Sequence, residues 1–173
     1  MSDTGSKIAL VTGGNKGIGF EIARGLARHG VIVVLGARNP VAGEAAAAAL
    51  RDEGLEVHFQ PLEVTDADSI AAAAERLSSE WGRLDVLVSN GAGSLEKGVP
   101  PSLSDLGLMR QTYETNVFGV VAVTQAMLPL LRASEAGRIV NMSTGLASLS
   151  LSSGREAPFS FSRLLAYNTS KTA

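Results

Sequence analysis

The chain has 173 residues, enough for one domain with a sizeable core and too few for two ordinary ones. Its 45% hydrophobic and 18% charged residues exclude a disordered chain, and a net charge of −2 with scattered Lys and Arg excludes a basic nucleic-acid face. There is no cysteine, which removes disulfides, thiolate metal sites and a thiol nucleophile.

In chain order, a β-branched run at 8–12 is followed by the glycine-rich "TGGNKGIG" and a helical stretch over about 17–29, stopped by Gly30. A buried-type strand at 31–35 leads to an Ala-rich helix over about 40–53, stopped by Gly54. "LEVHF" at 55–59 reads as a third strand, and a helix over about 66–81 is stopped by Gly82. "LDVLVS" at 84–89 is a fourth strand and "RIVNMS" at 138–143 a fifth, with a long helical region over roughly 103–132 between them. Pro129 in that region implies a kink or an early end. Strands without clean alternation are those covered by helices on both faces. Strict strand–helix alternation therefore predicts one doubly wound α/β domain over 1–173, built on a parallel sheet of five strands. The longest apolar stretches, such as "VIVVLGA" at 31–37, fall well short of the ~20 residues of a membrane span. "MSDTGSK" lacks a signal-peptide pattern, so a cytoplasmic protein without membrane partners is the expectation.

In this architecture a nucleotide fits the first strand-to-helix turn, where free amides and the positive end of the helix dipole meet a pyrophosphate. Gly13 would permit the tight turn, and Gly17 and Gly19 a close approach of phosphate and strand, with Asn15, Lys16 and Ile18 in the same loop. Glycine-rich turns also occur without ligands, so the loop alone does not decide.

The spacing Thr12-Gly13-x-x-x-Gly17-x-Gly19 resembles the cofactor loop of the classical short-chain dehydrogenases/reductases. "DVLVSNGAG" at 85–93, "NVFG" at 116–119, "GRIVNMST" at 137–144 and "YNTSK" at 167–171 are similar to four further elements of that family, in the same order. "TGGNKGIGFEIARGLA" looks most like its carbonyl-reductase-like members. The resemblance implies a Rossmann-like NADP-binding domain that reduces a small carbonyl compound, or oxidises the alcohol, by hydride transfer. In that reading Tyr167 is the general acid/base, Lys171 tunes it and holds the nicotinamide ribose, and Asn116 positions a water in the proton relay. The ordinary phenol pKa near 10 needs a neighbouring ammonium to reach a useful range, and residues four apart share a helix face.

Two departures stand out. The family's Ser-Ser pair reads Ser143-Thr144, so Thr144 is expected to supply the catalytic hydroxyl, with Ser143 as the alternative. "SNGAG" keeps Asn90 but has Ser89 for the family's first Asn and an ambiguous register at Gly91, Ala92 and Gly93. After the second strand comes Arg38 with no acidic residue, and Lys16 adds a second cation; together they favour the 2′-phosphate of NADP(H) over NAD(H). As a solvated surface residue, Arg38 would carry no such meaning. Glu63-Val64 stands where the family has Asp-Val beside the adenine.

The 22 residues between Thr144 and Tyr167 read as an irregular excursion, in which Phe159, Phe161 and Leu164 wall a substrate pocket or pack on the sheet. His29 and His58 are isolated, and neither a metal site nor a Ser-His-Asp triad is expected. Met109, Met127 and Trp81 read as core or boundary residues. The family extends past the position of Ala173, so the resemblance implies a truncated chain with a deficient site, an exposed fifth strand and, at full length, homo-oligomers. A non-catalytic NADP-binding module is the rival reading; the extended-type epimerases use a different glycine spacing.

Overall fold

The computed structural model describes residues 5–173 apart from 97, 153–155, 157 and 159–161. It divides into two compact units, residues 1–91 with 122–141 and residues 92–121 with 142–173.

The first unit is a parallel sheet with helices. Its strands are β1 (Ile8–Thr12), β2 (Ile32–Ala37), β3 (Val57–Pro61), β4 (Val86–Ser89) and β5 (Arg138–Asn141), in the spatial order β3-β2-β1-β4-β5. All four pairings are parallel, with Leu10 opposite Val34 on one side and Leu87 on the other. All five residues of β1 are buried, as expected of a strand enclosed on both faces. The order reverses between β1 and β4, so this is the switch point where an open α/β sheet takes its ligands.

The helices α1 (Gly17–Arg28), α2 (Pro40–Asp52) and α3 (Ala67–Trp81) connect these strands. One core cluster joins Leu10, Val34 and Leu87 of the sheet to Ile70, Ala73 and Leu77 of α3 and to Val123, Met127, Leu130 and Leu131. Trp81 packs against this cluster, and its ring meets His58 edge-on at 5.4 Å.

Three strands begin later than the apolar runs suggest, β4 at Val86 rather than at 84 and the other two for a visible reason. The N–H of Val31 closes the end of α1 on Leu26 O (3.2 Å), so β2 starts at Ile32. Leu55 N likewise bonds Leu50 O (3.2 Å) at the end of α2, and β3 shifts to 57–61.

The long helical region is α4 (Leu106–Tyr113), a π-helical segment Glu114–Phe118, and α5 (Gly119–Ala133). Of the kink or early end expected at Pro129, the early end does not occur, since α5 runs on to Ala133. Pro129 lies on the exposed face, as does Gln125, whose carbonyl it leaves without a helical donor. The run Leu106–Ala133 is long and apolar enough, by length and composition alone, to cross a membrane, which the apolar stretches of the sequence did not suggest.

In the second unit, α4 and the π-helical segment are joined by α6 (Leu149–Ser152) and α7 (Leu165–Thr172). A 3-10 turn at Gly145–Ala147 precedes α6, so the excursion after Thr144 carries two short helical turns. Phe159 and Phe161 lie outside the described residues; Leu164 is half-buried immediately before α7.

Candidate active site

The first unit holds the glycine loop. β1 ends at Thr12, and the chain turns at Gly13 with φ +63°, a region that disfavours any residue with a Cβ. A Cβ there would also stand 2.8 Å from the Cα of Gly91. Thr12 Oγ1 accepts from the N–H groups of Asn90 (3.0 Å) and Gly91 (2.9 Å) and donates to Val88 O (3.4 Å). Asn90 Nδ2 donates in turn to Thr12 O (3.1 Å) and Gly13 O (3.2 Å). Asn90 and Gly91 therefore brace the turn from the end of β4, and Thr12, to which the spacing assigned no role, is the hub.

Gly19 is buried on the first turn of α1, where a Cβ would run into Asn90 Nδ2 and stand 2.5 Å from Gly13 O. Its close approach is to backbone of the same loop. Around Gly17, by contrast, there is open space.

The start of α1 differs from those of its neighbours. Asn39 caps α2 by accepting from Ala42 N (3.0 Å), and Asp66 caps α3 by accepting from Asp68 N (3.0 Å). α1 begins after Lys16 with no side-chain cap and no acidic residue in its first turn. Its orphan N–H groups thus remain available at the switch point. Asn15 is half-buried and Ile18 65% exposed beside them. Lys16 and Arg38 are both exposed and take part in none of the ion pairs among the described residues, which join Arg24, Arg28, Arg51, Arg76 and Arg83 to nearby carboxylates. Glu63 turns its carboxylate onto Thr65, accepting from its hydroxyl at 3.0 Å, and Val64 packs on the core.

The second unit holds Asn116, Thr144, Tyr167 and Lys171. α7 places Tyr167 and Lys171 four residues apart on one face. Lys171 Nζ donates to Met142 O (2.8 Å), and burial pushes its pKa below the ordinary lysine value. Thr144 Oγ1 accepts from Leu146 N (3.3 Å), which leaves its hydrogen free to donate. Ser143 is exposed, and its Oγ donates to Lys171 O (3.4 Å).

Asn116 is buried in the π-helical segment. Its Oδ1 accepts from Gly93 N (2.9 Å), and its Nδ2 donates to Gly93 O (3.0 Å) and Ser170 Oγ (3.0 Å). Both Nδ2 hydrogens are thus engaged. One side chain ties the π-helical segment to the loop after β4 and to the helix of Tyr167. Such π insertions recur at functional sites.

Among relatives of known name, carbonyl reductase [NADPH] 1 of Homo sapiens is 43% identical over 142 residues, which cover 82% of this chain and 50% of that protein. (-)-Isopiperitenone reductase of Mentha piperita is 38% identical over 184 residues, 84% of this chain and 59% of that protein. A short chain dehydrogenase from Shigella flexneri 2a str. 301, solved complexed with NADP, superposes with a TM-score of 0.83 at 30% identity, covering 96% of this chain and 66% of that one. The chain spans between half and about six-tenths of the length of these two curated relatives. The family described as short chain dehydrogenase matches residues 7–173. That match opens one residue before β1 and takes in both units, with the whole five-stranded parallel sheet inside it: the chain belongs to the short chain dehydrogenase family.

Proposed function

We propose that the protein is an NADPH-dependent oxidoreductase that reduces a small carbonyl compound, or oxidises the corresponding alcohol. The observation that carries the reading is the uncapped N-terminus of α1 behind the Gly13 turn, together with Lys16 and Arg38, which join no ion pair among the described residues. The donor set fits a dinucleotide. Free amides and a helix dipole suit a pyrophosphate, and two cations with no acidic residue after β2 suit a 2′-phosphate rather than a bare ribose. The relatives named for NADPH and complexed with NADP support the same choice.

When bound, a nicotinamide nucleotide supplies the hydride. The protein's own groups handle the proton. Tyr167 donates its phenolic proton to the carbonyl oxygen, and the Thr144 hydroxyl, with its hydrogen free, orients that oxygen. Two of the three Lys171 Nζ hydrogens remain for a ribose after the bond to Met142 O. Asn116 holds the loop and α7 in register, and any water it positions uses the remaining lone pair of Oδ1.

The test is NADPH oxidation with a panel of aldehydes and ketones, followed at the nicotinamide band. Turnover of ~1 per second or more, lost in Tyr167→Phe while NADPH still binds, is the expected result. Nucleotide binding without turnover in the unaltered chain would favour the non-catalytic binding module. No saturable binding would reject both.

A further inference from the structure

The helix that carries Tyr167 and Lys171 is two turns long, and helices of that length do not hold by themselves. Its N-cap position is Leu164, which has no side-chain oxygen and makes no capping bond. A capping side chain takes the N–H groups two and three residues on, here Ala166 and Tyr167. Both are taken, from 70 residues away in sequence. Glu96 Oε1 accepts from Ala166 N at 2.9 Å and Glu96 Oε2 from Tyr167 N at 2.9 Å.

The carboxylate does for α7 what Asp105 does for α4 from within its own chain segment, where Oδ1 accepts from Gly107 N and Leu108 N. Its charge also complements the positive end of the helix. The loop that delivers Glu96 is itself fixed three residues earlier, where Asn116 clamps both the N–H and the carbonyl of Gly93. Asn116 grips the other end of α7 as well, through Ser170. Tyr167 is therefore held through its own main-chain N–H by one acid and through its helix by one amide.

We propose that Glu96 is a positioning residue for the reaction, capping the Tyr167 helix in place of a local N-cap and so fixing the general acid. This rests on the reading of Tyr167 as that acid. Each carboxylate oxygen of Glu96 serves one N–H group, so Gln, with a single carboxamide oxygen and no charge, substitutes only in part.

The experiment compares Glu96→Ala, Glu96→Gln and the double variant Glu96→Ala/Leu164→Asp with the unaltered chain. It uses amide hydrogen exchange, thermal unfolding and NADPH-dependent turnover. In Glu96→Ala the amides of α7 should lose protection about ten-fold while those of β1 and β4 keep theirs. kcat should fall about ten-fold, with KM for NADPH changing less; Glu96→Gln should lie between. Leu164→Asp supplies the missing local cap and should return both protection and kcat. Unchanged α7 protection in Glu96→Ala overturns the proposal. So does an equal loss across α7 and the sheet, which marks general destabilisation, or a failure of Leu164→Asp to restore α7. An unaltered chain without turnover would sink the oxidoreductase reading alone, since the exchange comparison still decides whether Glu96 holds the helix.

Discussion

At Asp85 one carboxylate serves three donors: Ile8 N (2.8 Å) and Arg83 Nε (3.4 Å) on Oδ2, and Ser134 Oγ (2.5 Å) on Oδ1. Burial pushes its pKa up, but the hydrogen bonds from Ser134, Ile8 and Arg83, with the guanidinium charge, outweigh that and hold it below the ordinary 3.8. The folded state thus releases this proton more readily than the unfolded chain. The resulting stability is present in full above 3.8 and fades as pH falls through the lower folded value. Asp85→Asn should cost about 1–3 kcal/mol in urea denaturation at pH 7. The gap to the unaltered chain should narrow at acid pH; a constant gap would show that the charge is not what matters. Lys171 behaves in the opposite sense. Burial lowers its pKa, so at neutral pH the fold carries a cost for keeping it charged, and stability should rise with pH from the lowered value towards 10.5. Lys171→Met should remove that rise while abolishing turnover, so that denaturation and kinetics report opposite effects of one substitution.

Among the elements, those whose ends are fixed by local chemistry were legible in the sequence. α3 runs from the cap at Asp66 to Gly82, whose φ of +66° is the left-handed stop that glycine allows. The π-helical segment was not legible, because a one-residue widening of a helix leaves the apolar spacing over 103–132 almost unchanged. The expectation that β5 is exposed holds. It lies at the end of the sheet order, all four of its residues are exposed, and Ile139 and Val140 each show 44% of their surface. An apolar edge with unpaired N–H and C=O groups invites strand-to-strand association, and a lysine on such an edge discourages it. Val140→Lys should lower the scattering of concentrated solutions markedly while changing stability by no more than about 0.5 kcal/mol. Equal scattering from the two proteins would place the association elsewhere.

For the molecule as a whole, the motifs located the candidate residues but not their partners. Thr12 with Asn90, Gly93 with Asn116 and Glu96 with Tyr167 are pairs separated by 78, 23 and 71 residues, and no local spacing encodes such contacts. What the sequence does carry is a charge argument at the glycine loop, and it makes a prediction for global stability. A ligand that binds only the folded chain stabilises it by RT ln(1 + [L]/Kd), about 2.7 kcal/mol at one hundred times Kd. For a chain of this size that is a rise in Tm of roughly 5–10 °C. If Lys16 and Arg38 grip a 2′-phosphate, NADPH should produce this rise at concentrations where NADH produces little. Arg38→Asp, which puts an acid where a bare ribose wants one, should reduce the NADPH shift and favour NADH. The measurement needs no turnover, so it separates cofactor choice from catalysis. Equal shifts from both nucleotides, unchanged in Arg38→Asp, would mean that the two cations are ordinary surface residues and that α1 takes the pyrophosphate without regard to the ribose.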